Sequence, residues 1–417
     1  MSGRLVISVL SLLALIATNC PAIAEDQRPI PLVESYLLDG RLVEGEKALL
    51  AHLTKTPADV QARFGLGVLQ FFQAIEHLYQ GFYRYGLEPK ANFLIQEVPF
   101  LRQPVGKNPN PESASAAKFD KLFRTFLDDL AKARKSLEQV PDGDVKLPLH
   151  PFAIRLDLNG DGKITDDESL GRIMGRMFGG VAPPTITHGG TLVCFDAADV
   201  HWLRGYCHLL AAMGEVIVAY DWKEVIEGSG HLFFHQVEGP HDFLTEGQKV
   251  FDYQGTDIAD LIAFVHLFRM PVKDKDAMYR ALVHLEAMIA ESRVMWKLVQ
   301  AETDDDHEWI PNPRQKSALT GLQVNQEMVD GWILFLDEAD ALLKGKKLIP
   351  FWRGNGDKGI NLRRVFTEPR PLDIVLWIQG TAATPYLAKG EFTRADTWAR
   401  LQRVFGGNFI GFALWFN

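Results

Sequence analysis

Oxygen-bearing side chains occupy alternate positions in the segment DLNGDGKITDDE, residues 157–168. A hard divalent cation takes about six to eight oxygen ligands, so a loop of this length can wrap one only if its ligands alternate and its backbone turns sharply midway. Gly162, the sixth residue, supplies that turn because glycine adopts positive φ without a steric penalty. The predicted ligands are Asp157, Asn159, Asp161, the backbone carbonyl of Lys163, Thr165 and Glu168.

This pattern resembles the EF-hand calcium-binding loop at every ligand position, and the resemblance covers these residues alone. It implies that Ca²⁺ is the ligand and that Glu168 supplies a bidentate carboxylate. It also implies that Ile164, the eighth residue, is the apolar position that pairs with a second loop. No second segment of the chain repeats the complete pattern. An unpaired loop favours a structural site over a sensor, with an affinity on the order of micromolar to millimolar.

The residues on either side of the loop predict an EF-hand-like site with a shortened entering helix. Pro148 and Pro151 precede it closely, and proline is tolerated only in the first turn of a helix. The sequence therefore predicts an entering helix of about one and a half turns that ends at Leu156. The exiting helix is predicted from about Asp167 to Phe178.

The first 24 residues have the features of a secretory signal peptide. Arg4 precedes an apolar run, Leu5–Ala17, and the small residues Ala22 and Ala24 mark a cleavage site. The alternative, a membrane anchor, is disfavoured because that run is shorter than the roughly 20 residues of a membrane-spanning helix. We therefore expect an exported protein, periplasmic or secreted, with no transmembrane segment after cleavage.

The composition is that of an ordinary soluble globular protein, with 47% apolar and 23% charged residues in 417. The formal net charge of −9 gives no indication of a nucleic-acid partner. Cys20 would leave with the signal peptide. Cys207 is predicted to lie three turns inside the helix that starts near Ala197, and Cys194 just before that helix. Their Cα atoms would be roughly 16 Å apart, too far for a disulfide, so both are expected to be free, buried thiols.

Hydrophobic periodicity predicts a mostly α fold, with helical hairpins at the N-terminus and a larger helical C-terminal domain that contains a few short strands or extended segments. The stretch LLAHLTKTPADVQARFGLG, residues 49–67, resembles the junction between two tetratricopeptide repeats, although an ordinary helical hairpin is the favoured explanation. The predicted organisation is a signal peptide followed by four regions: an N-terminal helical region over 25–103, a linker and helix over 104–147, the calcium loop and exiting helix over 148–180, and a C-terminal domain over 191–417.

Individual elements follow from the same periodicity. Helices are predicted over the segment KFDKLFRTFLDDLAKARKSLEQV and near residues 197–221, 257–269, 274–301 and 325–343. Three short apolar runs near the C-terminus are predicted to be strands or extended segments: KKLIPFW, DIVLWIQG and FIGFALWF.

Weaker groups of functional residues have ordinary structural explanations. A second metal site is one interpretation of His231, His235, Glu238 and His241, and partly buried loop histidines are the other. The acidic run at residues 302–308 is either a solvated loop or a cation site. The segment GNGDKG at residues 354–359 matches a glycine-rich fingerprint but lacks the strand and helix that dinucleotide binding requires.

Three functional hypotheses remain. The leading one is an exported calcium-binding protein whose calcium is structural or regulatory. The second is an exported hydrolase-like enzyme in which calcium stabilises the fold and the chemistry lies near the histidines of the C-terminal domain, His201, His208, His231 and His235. The third is a scaffold whose N-terminal helices bind a protein or peptide.

Overall fold

Helices dominate the computed structural model, which describes residues 28–88, 105–177, 190–244, 255–319, 323–353, 356–405, 407 and 409–416. The predicted signal peptide lies outside these residues, as does most of the turn-rich segment before residue 190. The mostly α fold predicted from the periodicity is confirmed. The α-helices of the described residues are α1 (Glu34–Leu38), α2 (Leu42–Lys55), α3 (Val60–Arg84), α4 (Ala116–Leu137), α5 (Leu170–Met177), α6 (Ala197–Ala219), α7 (Lys223–Ser229), α8 (Gly255–Leu267), α9 (Lys275–Ala301), α10 (Gln326–Leu343), α11 (Leu362–Thr367), α12 (Ile374–Gln379), α13 (Ala395–Val404) and α14 (Phe409–Phe416).

The strands are short and form three small sheets in the described part of the chain. One pairs β1 with β2, a second pairs β3 with β6, and a third has the order β7-β5-β4-β8. All pairs are antiparallel except β4 with β8. Their bounds are β1 (Leu147–Leu149), β2 (Val193–Phe195), β3 (Arg269–Met270), β4 (Lys347–Pro350), β5 (Gly359–Ile360), β6 (Leu372–Asp373), β7 (Leu387–Ala388) and β8 (Glu391–Phe392).

Helix boundaries follow capping residues that are visible in the sequence. The Asp59 side chain accepts the Ala62 N–H at the start of α3. Asp196 caps α6 by accepting the N–H groups of Ala198 and Asp199. A side-chain oxygen at this position satisfies backbone donors that have no partner inside the helix, and the helix predicted near 197–221 does begin after Asp196.

Helix α3 packs closely on α4 because glycines remove side chains from the interface. A Cβ atom at Gly67 would lie 2.4 Å from Leu137 Cδ2, and one at Gly81 would lie 2.3 Å from Leu122 Cδ1. Both distances are shorter than any real carbon–carbon contact. The Leu-Gly pair that resembled a repeat junction thus permits a close approach of two helices.

Residues 31–417 form one compact unit with two principal apolar cores. The first joins α2, α3, α4 and α6 to β1 and to the segment that precedes the predicted calcium loop. The second lies between α9, α10, α13 and α14. Helix α6 packs along α9, and Trp202 on α6 contributes to both cores.

Two of the three C-terminal apolar runs do not form strands, so that prediction is wrong. KKLIPFW contains β4, but DIVLWIQG forms α12, between a capping Asp373 and Gly380 at φ 106°. FIGFALWF forms α14. Its Phe409, Phe412 and Phe416 recur at helical spacing and all contact Phe405, a periodicity that the uninterrupted apolar run concealed.

The expectation for the two cysteines is confirmed. Cys194 lies in β2 and Cys207 lies inside α6, and both are buried thiols that form no disulfide. Among the described residues, no helix is both long enough and apolar enough to cross a membrane.

Candidate functional site

The loop at residues 157–168 is held between short elements instead of the two helices of a full hand. A single 3-10 turn, Pro151–Ala153, replaces the predicted entering helix, and the chain continues extended. On the exit side, a 3-10 turn, Asp166–Glu168, precedes α5, which begins only at Leu170. The predicted entering helix is therefore wrong, and the exiting helix is present but begins three residues later than predicted. The cause is that Leu156 N donates to Glu168 O and Arg155 forms an antiparallel bridge with Ser169, which join the two ends of the loop.

Within the loop, the predicted ligand side chains organise the backbone. Asp157 accepts the N–H groups of Gly160 through Oδ1 (2.8 Å) and of Gly162 through Oδ2 (3.0 Å). Asn159 Oδ1 accepts the Asp161 N–H at 2.8 Å. Asp161 Oδ1 in turn accepts the Lys163 N–H at 2.7 Å. The polar side chains thus satisfy backbone donors of the loop's own turns.

Two glycines allow this turn. Gly160 and Gly162 both have φ +72°, a region that a residue with a Cβ rarely adopts. The prediction for Gly162 is confirmed, and Gly160 adds a second left-handed residue that the pattern did not indicate. The Lys163 side chain is exposed, which is compatible with its predicted role as a backbone ligand.

Glu168, the predicted bidentate ligand, is buried with only 3% of its surface exposed. Its Oε2 accepts the N–H and hydroxyl of Thr165 at 3.0 and 2.9 Å, which closes a capping box. Its Oε1 is buried and has no hydrogen-bond partner among the residues that the structure describes. The carboxylate oxygens of Asp157, Asp161 and Glu168 do not all lie within 4.8 Å of one another. The Thr165 hydroxyl, a predicted ligand, thus donates to the carboxylate of Glu168, which is also a predicted ligand.

Two residues of α3 that were not predicted from the sequence bind the backbone of the loop. Glu76 Oε2 accepts the Asp157 N–H at 2.8 Å, and Gln80 Nε2 donates to Asp157 O at 2.7 Å. Burial raises the pKa of Glu76 to about 7, and the nearby carboxylates of Asp157 and Glu168 add to the rise. The available signal was a row of polar residues at helical spacing on the otherwise apolar α3: Gln70, Gln73, Glu76 and Gln80.

The turn between α1 and α2 closes over the loop. A Cβ atom at Gly40 would lie 2.9 Å from Ile164 Cδ1, so the apolar eighth residue contacts this turn. Arg155 donates to Leu38 O and to Asp166 Oδ1, both at 2.8 Å. The position that usually pairs with a second loop is thus covered by the protein's own N-terminal turn.

A second group of acidic residues forms where β2 meets α6. Asp196, Glu302 and Glu308 each place a carboxylate oxygen within 4.8 Å of the others. Burial raises the pKa of Glu302 to about 8, and repulsion from Asp196 adds to the rise. Burial also raises the pKa values of Asp196 and Glu308. The sequence showed a cap and an acidic run separately, but their meeting depends on long-range packing.

Cys194, Asp306 and His307 form another group with one potential ligand atom each within 4.8 Å. Cys194 N also donates to His307 O at 3.1 Å, so this proximity arises from the backbone path of β2 beside the acidic run. His307 has φ 60°, which is unusual for a residue with a side chain.

The histidines that carried the enzyme hypothesis are not brought together. The His201 ring nitrogens lie 2.6 Å from Glu291 Oε2 and 2.9 Å from Asp142 Oδ1. Burial lowers the pKa of His201, but those two carboxylates outweigh it and raise the pKa. His231 Nε2 lies 3.3 Å from Asp260 Oδ2, whereas the His235 side chain is exposed.

His208 has a different partner from the other three. Its Nδ1 lies 2.8 Å from Nδ1 of His284. Burial lowers the pKa of His208 to about 3 and that of His284 to about 4, and the nearby Arg134 adds to both shifts. This neutral pair has no carboxylate to orient it, and it lies between packed helices.

The N-terminal helices offer little support for the scaffold hypothesis. On the described α1, α2 and α3, the large apolar side chains with substantial exposure are Val43 and Leu50, at 52% and 48%. They lie seven residues apart, on one face of α2, and isolated apolar side chains of this kind are normal on a protein surface. The tetratricopeptide resemblance stays a prediction.

Comparison with known proteins adds no relative from which a function can be transferred. No protein-family model matches the chain, and no curated protein or solved structure matches it.

Proposed function

We propose that the protein binds one calcium ion in the loop at residues 157–168 and that this ion stabilises the loop against α3. The observation that carries the proposal is the carboxylate of Glu168, which is buried at the last ligand position with one oxygen lacking a partner. A buried charged group without compensation is costly, and a cation in the loop supplies that compensation. The remaining ligand positions hold oxygen donors that suit calcium.

Calcium binding on this proposal exchanges the hydrogen bonds between Thr165 and Glu168 for ligation of the ion. Two acids, Asp157 and Asp161, and the amide of Asn159 supply the other side-chain oxygens. The carbonyl of Lys163 supplies a backbone ligand. The same geometry disfavours a small ion such as Mg²⁺, which demands near-ideal octahedral ligands and keeps several of its waters.

The proposed role is structural because the loop lacks the flanking helices that move apart in calcium sensors. Leu156 and Leu158, at the start of the loop, are each 1% exposed and belong to the main core. Gly40 and Ile164 close the opposite side. An ion at this position therefore joins the N-terminal turn, α3 and α5.

Export is part of the same proposal. The first 24 residues support it through their basic, apolar and small-residue pattern. An affinity on the order of micromolar to millimolar suits a compartment outside the cytoplasm, where calcium is abundant.

Thermal unfolding with calcium, magnesium or a chelator tests the calcium site. A ligand that binds only the folded state stabilises it by RT ln(1 + [L]/Kd), about 2.7 kcal/mol at one hundred times Kd. We expect the melting temperature to rise with calcium in the native protein. We expect no rise in Glu168→Gln or in Asp157→Asn, and a calorimetric stoichiometry of one ion per chain.

Asp167→Asn is the matched control, because Asp167 is an exposed acid of the same loop at a position that supplies no ligand. It should respond to calcium like the native protein. An unchanged melting temperature in native protein, or an equal calcium response in Glu168→Gln and Asp167→Asn, would show that the loop binds no calcium.

A further inference from the structure

A large apolar cavity lies directly behind the calcium loop. Its volume is about 590 Å³, and its walls come from α3, α5, α6, α14 and the segment that leads into the loop. Protein interiors are packed like organic crystals, with few voids larger than a water molecule. A cavity of this size falls within the range of small-molecule binding sites and far above that of packing defects.

The lining has the chemistry of a site for a lipophilic molecule. Among the described residues that line it, Asp199 is the only one that carries a charged group, and nearly all others are aliphatic or aromatic. Apolar cavities exclude water and take up apolar molecules, because the walls gain dispersion contacts that empty space cannot provide.

Aromatic side chains give one wall a fixed shape. The Trp202 ring lies 4.7 Å from Tyr206 and 5.4 Å from Trp309, measured between ring centroids. Trp202 Nε1 also donates to Trp415 O at 2.8 Å, which ties α14 to α6 across the cavity. This wall is preorganised, so a ligand does not have to order it.

Among the described residues of the lining, Asp199 carries the only carboxyl group. Asp199 is 6% exposed, and its Oδ2 accepts the Asp196 N–H at 3.0 Å. The Asp199 side chain is part of the cavity lining. Burial, together with repulsion from Asp196, raises the pKa of Asp199 well above its usual value. The cavity therefore offers a ligand one hydrogen-bonding carboxyl group.

The surroundings of Asp199 determine which head group is tolerated. The acidic group formed by Asp196, Glu302 and Glu308 lies next to it. A ligand carboxylate facing Asp199 would add one more negative charge to a buried cluster of acidic groups that already disfavours ionisation, which opposes its binding. A hydroxyl or another neutral hydrogen-bonding group meets no such repulsion.

We propose that this cavity binds a neutral lipophilic molecule, with a hydrocarbon body against the aromatic wall and a hydrogen-bonding group at Asp199. The site is assigned by the cavity, its lining and the Asp199 carboxyl group. It does not rest on calcium binding, so either proposal can fail without the other.

Fluorescence titration with N-phenyl-1-naphthylamine, a neutral lipophilic probe, tests the site on the full chain. We expect saturable binding at one site, with energy transfer from the tryptophans of the cavity wall. Dodecan-1-ol should displace the probe at least about tenfold more effectively than dodecanoate at pH 8. Asp199→Asn should bind dodecan-1-ol like the native protein, because an amide keeps a hydrogen-bonding group at this position.

Two variants fill the cavity from different helices, Val68→Phe on α3 and Leu210→Trp on α6. Each should weaken probe binding at least about tenfold while keeping the melting temperature, because the added atoms occupy empty space. Val294→Phe is the matched control, since Val294 lies on α9 outside the cavity and is 36% exposed. It should bind the probe like the native protein.

Absence of saturable binding by the native protein would overturn the proposal. Equal binding by the native protein and by both filled variants would also overturn it, because it would place the probe on the surface. Equal displacement by dodecan-1-ol and dodecanoate would overturn the assignment of a neutral ligand. If one filled variant unfolds, the other decides the result, with circular dichroism as the check on folding.

Discussion

Two buried carboxylates explain more about the proposed calcium site than the exposed acids of the loop do. Glu168 has an oxygen without a partner, whereas Glu76 uses an oxygen to hold the Asp157 backbone. On the proposal, the Glu168 carboxylate needs a cation to compensate its charge. Glu76 holds the loop backbone at the place where that cation binds. The sequence predicted Glu168 from its spacing alone. Glu76 could not be found that way, because its contact with Asp157 spans 81 residues of the chain.

Replacement of Glu76 tests this positioning role. Glu76→Leu removes the acceptor for the Asp157 N–H, and a hydrogen bond to a charged group contributes about 1.5–3 kcal/mol. We expect calcium affinity, measured by isothermal titration calorimetry, to fall at least about tenfold. Glu76→Gln keeps an acceptor oxygen and should stay within about threefold of native affinity. Native affinity in Glu76→Leu would show that α3 does not position the loop.

At the scale of elements, local signals predicted the long helices well. Helix α10 was expected near residues 325–343 and spans Gln326–Leu343, because Asn325 caps it and its apolar spacing is regular. Helix α9 was expected near 274–301 and begins at Lys275, after the capping Asp274. These features depend on neighbours within a few residues, so the sequence alone contains them.

Elements whose form depends on distant contacts were predicted less well. The loop flanks resembled helix starts, but Arg155 N donates to Leu37 O and Leu170 N donates to Ile154 O. These long-range backbone hydrogen bonds hold the residues on both sides of the loop in extended conformations, so they do not form helical turns. α14 was missed for a different reason, because an entirely apolar run has no polar face to reveal its period.

The close approach of α3 and α4 leads to a prediction about Gly67. Alanine normally favours a helix over glycine by about 1 kcal/mol. At Gly67, however, the added Cβ would lie 2.4 Å from Leu137, and overpacking of a core costs about 1–3 kcal/mol. We therefore expect Gly67→Ala to lower the free energy of unfolding by about 1–2 kcal/mol in urea denaturation.

Gly331→Ala is the matched control for this measurement. Gly331 lies inside α10, and a Cβ atom there would be 3.4 Å from Val404, an ordinary contact distance. The substitution should leave stability unchanged or raise it by up to about 1 kcal/mol. A destabilisation of similar size in both variants would mean that the packing of α3 on α4 is not especially close.

At the scale of the whole molecule, the proposed calcium loop and the apolar cavity share a wall. Leu156 and Leu158 line the cavity, and they flank Asp157, the first predicted ligand. Helix α3 contributes Glu76 to the loop and Ile75 and Tyr79 to the cavity. The sequence could not reveal this arrangement, because it arises from the packing of α3, α5 and α6 around one space. Fixing the backbone of the loop must also fix one wall of the cavity.

This shared wall predicts a coupling between the two sites. Calcium that orders residues 156–158 removes part of the ordering cost of lipophile binding, so each ligand should tighten the other. We expect the Kd of N-phenyl-1-naphthylamine to be at least about fivefold lower in calcium than in chelator. Reciprocity then requires dodecan-1-ol to lower the calcium Kd by the same factor that calcium lowers the Kd of dodecan-1-ol. Glu168→Gln should bind the probe equally in calcium and in chelator. Both ligands could bind to the native protein while the Kd of the probe stays the same in calcium and in chelator. That result would show that the loop and the cavity are energetically independent despite their common residues.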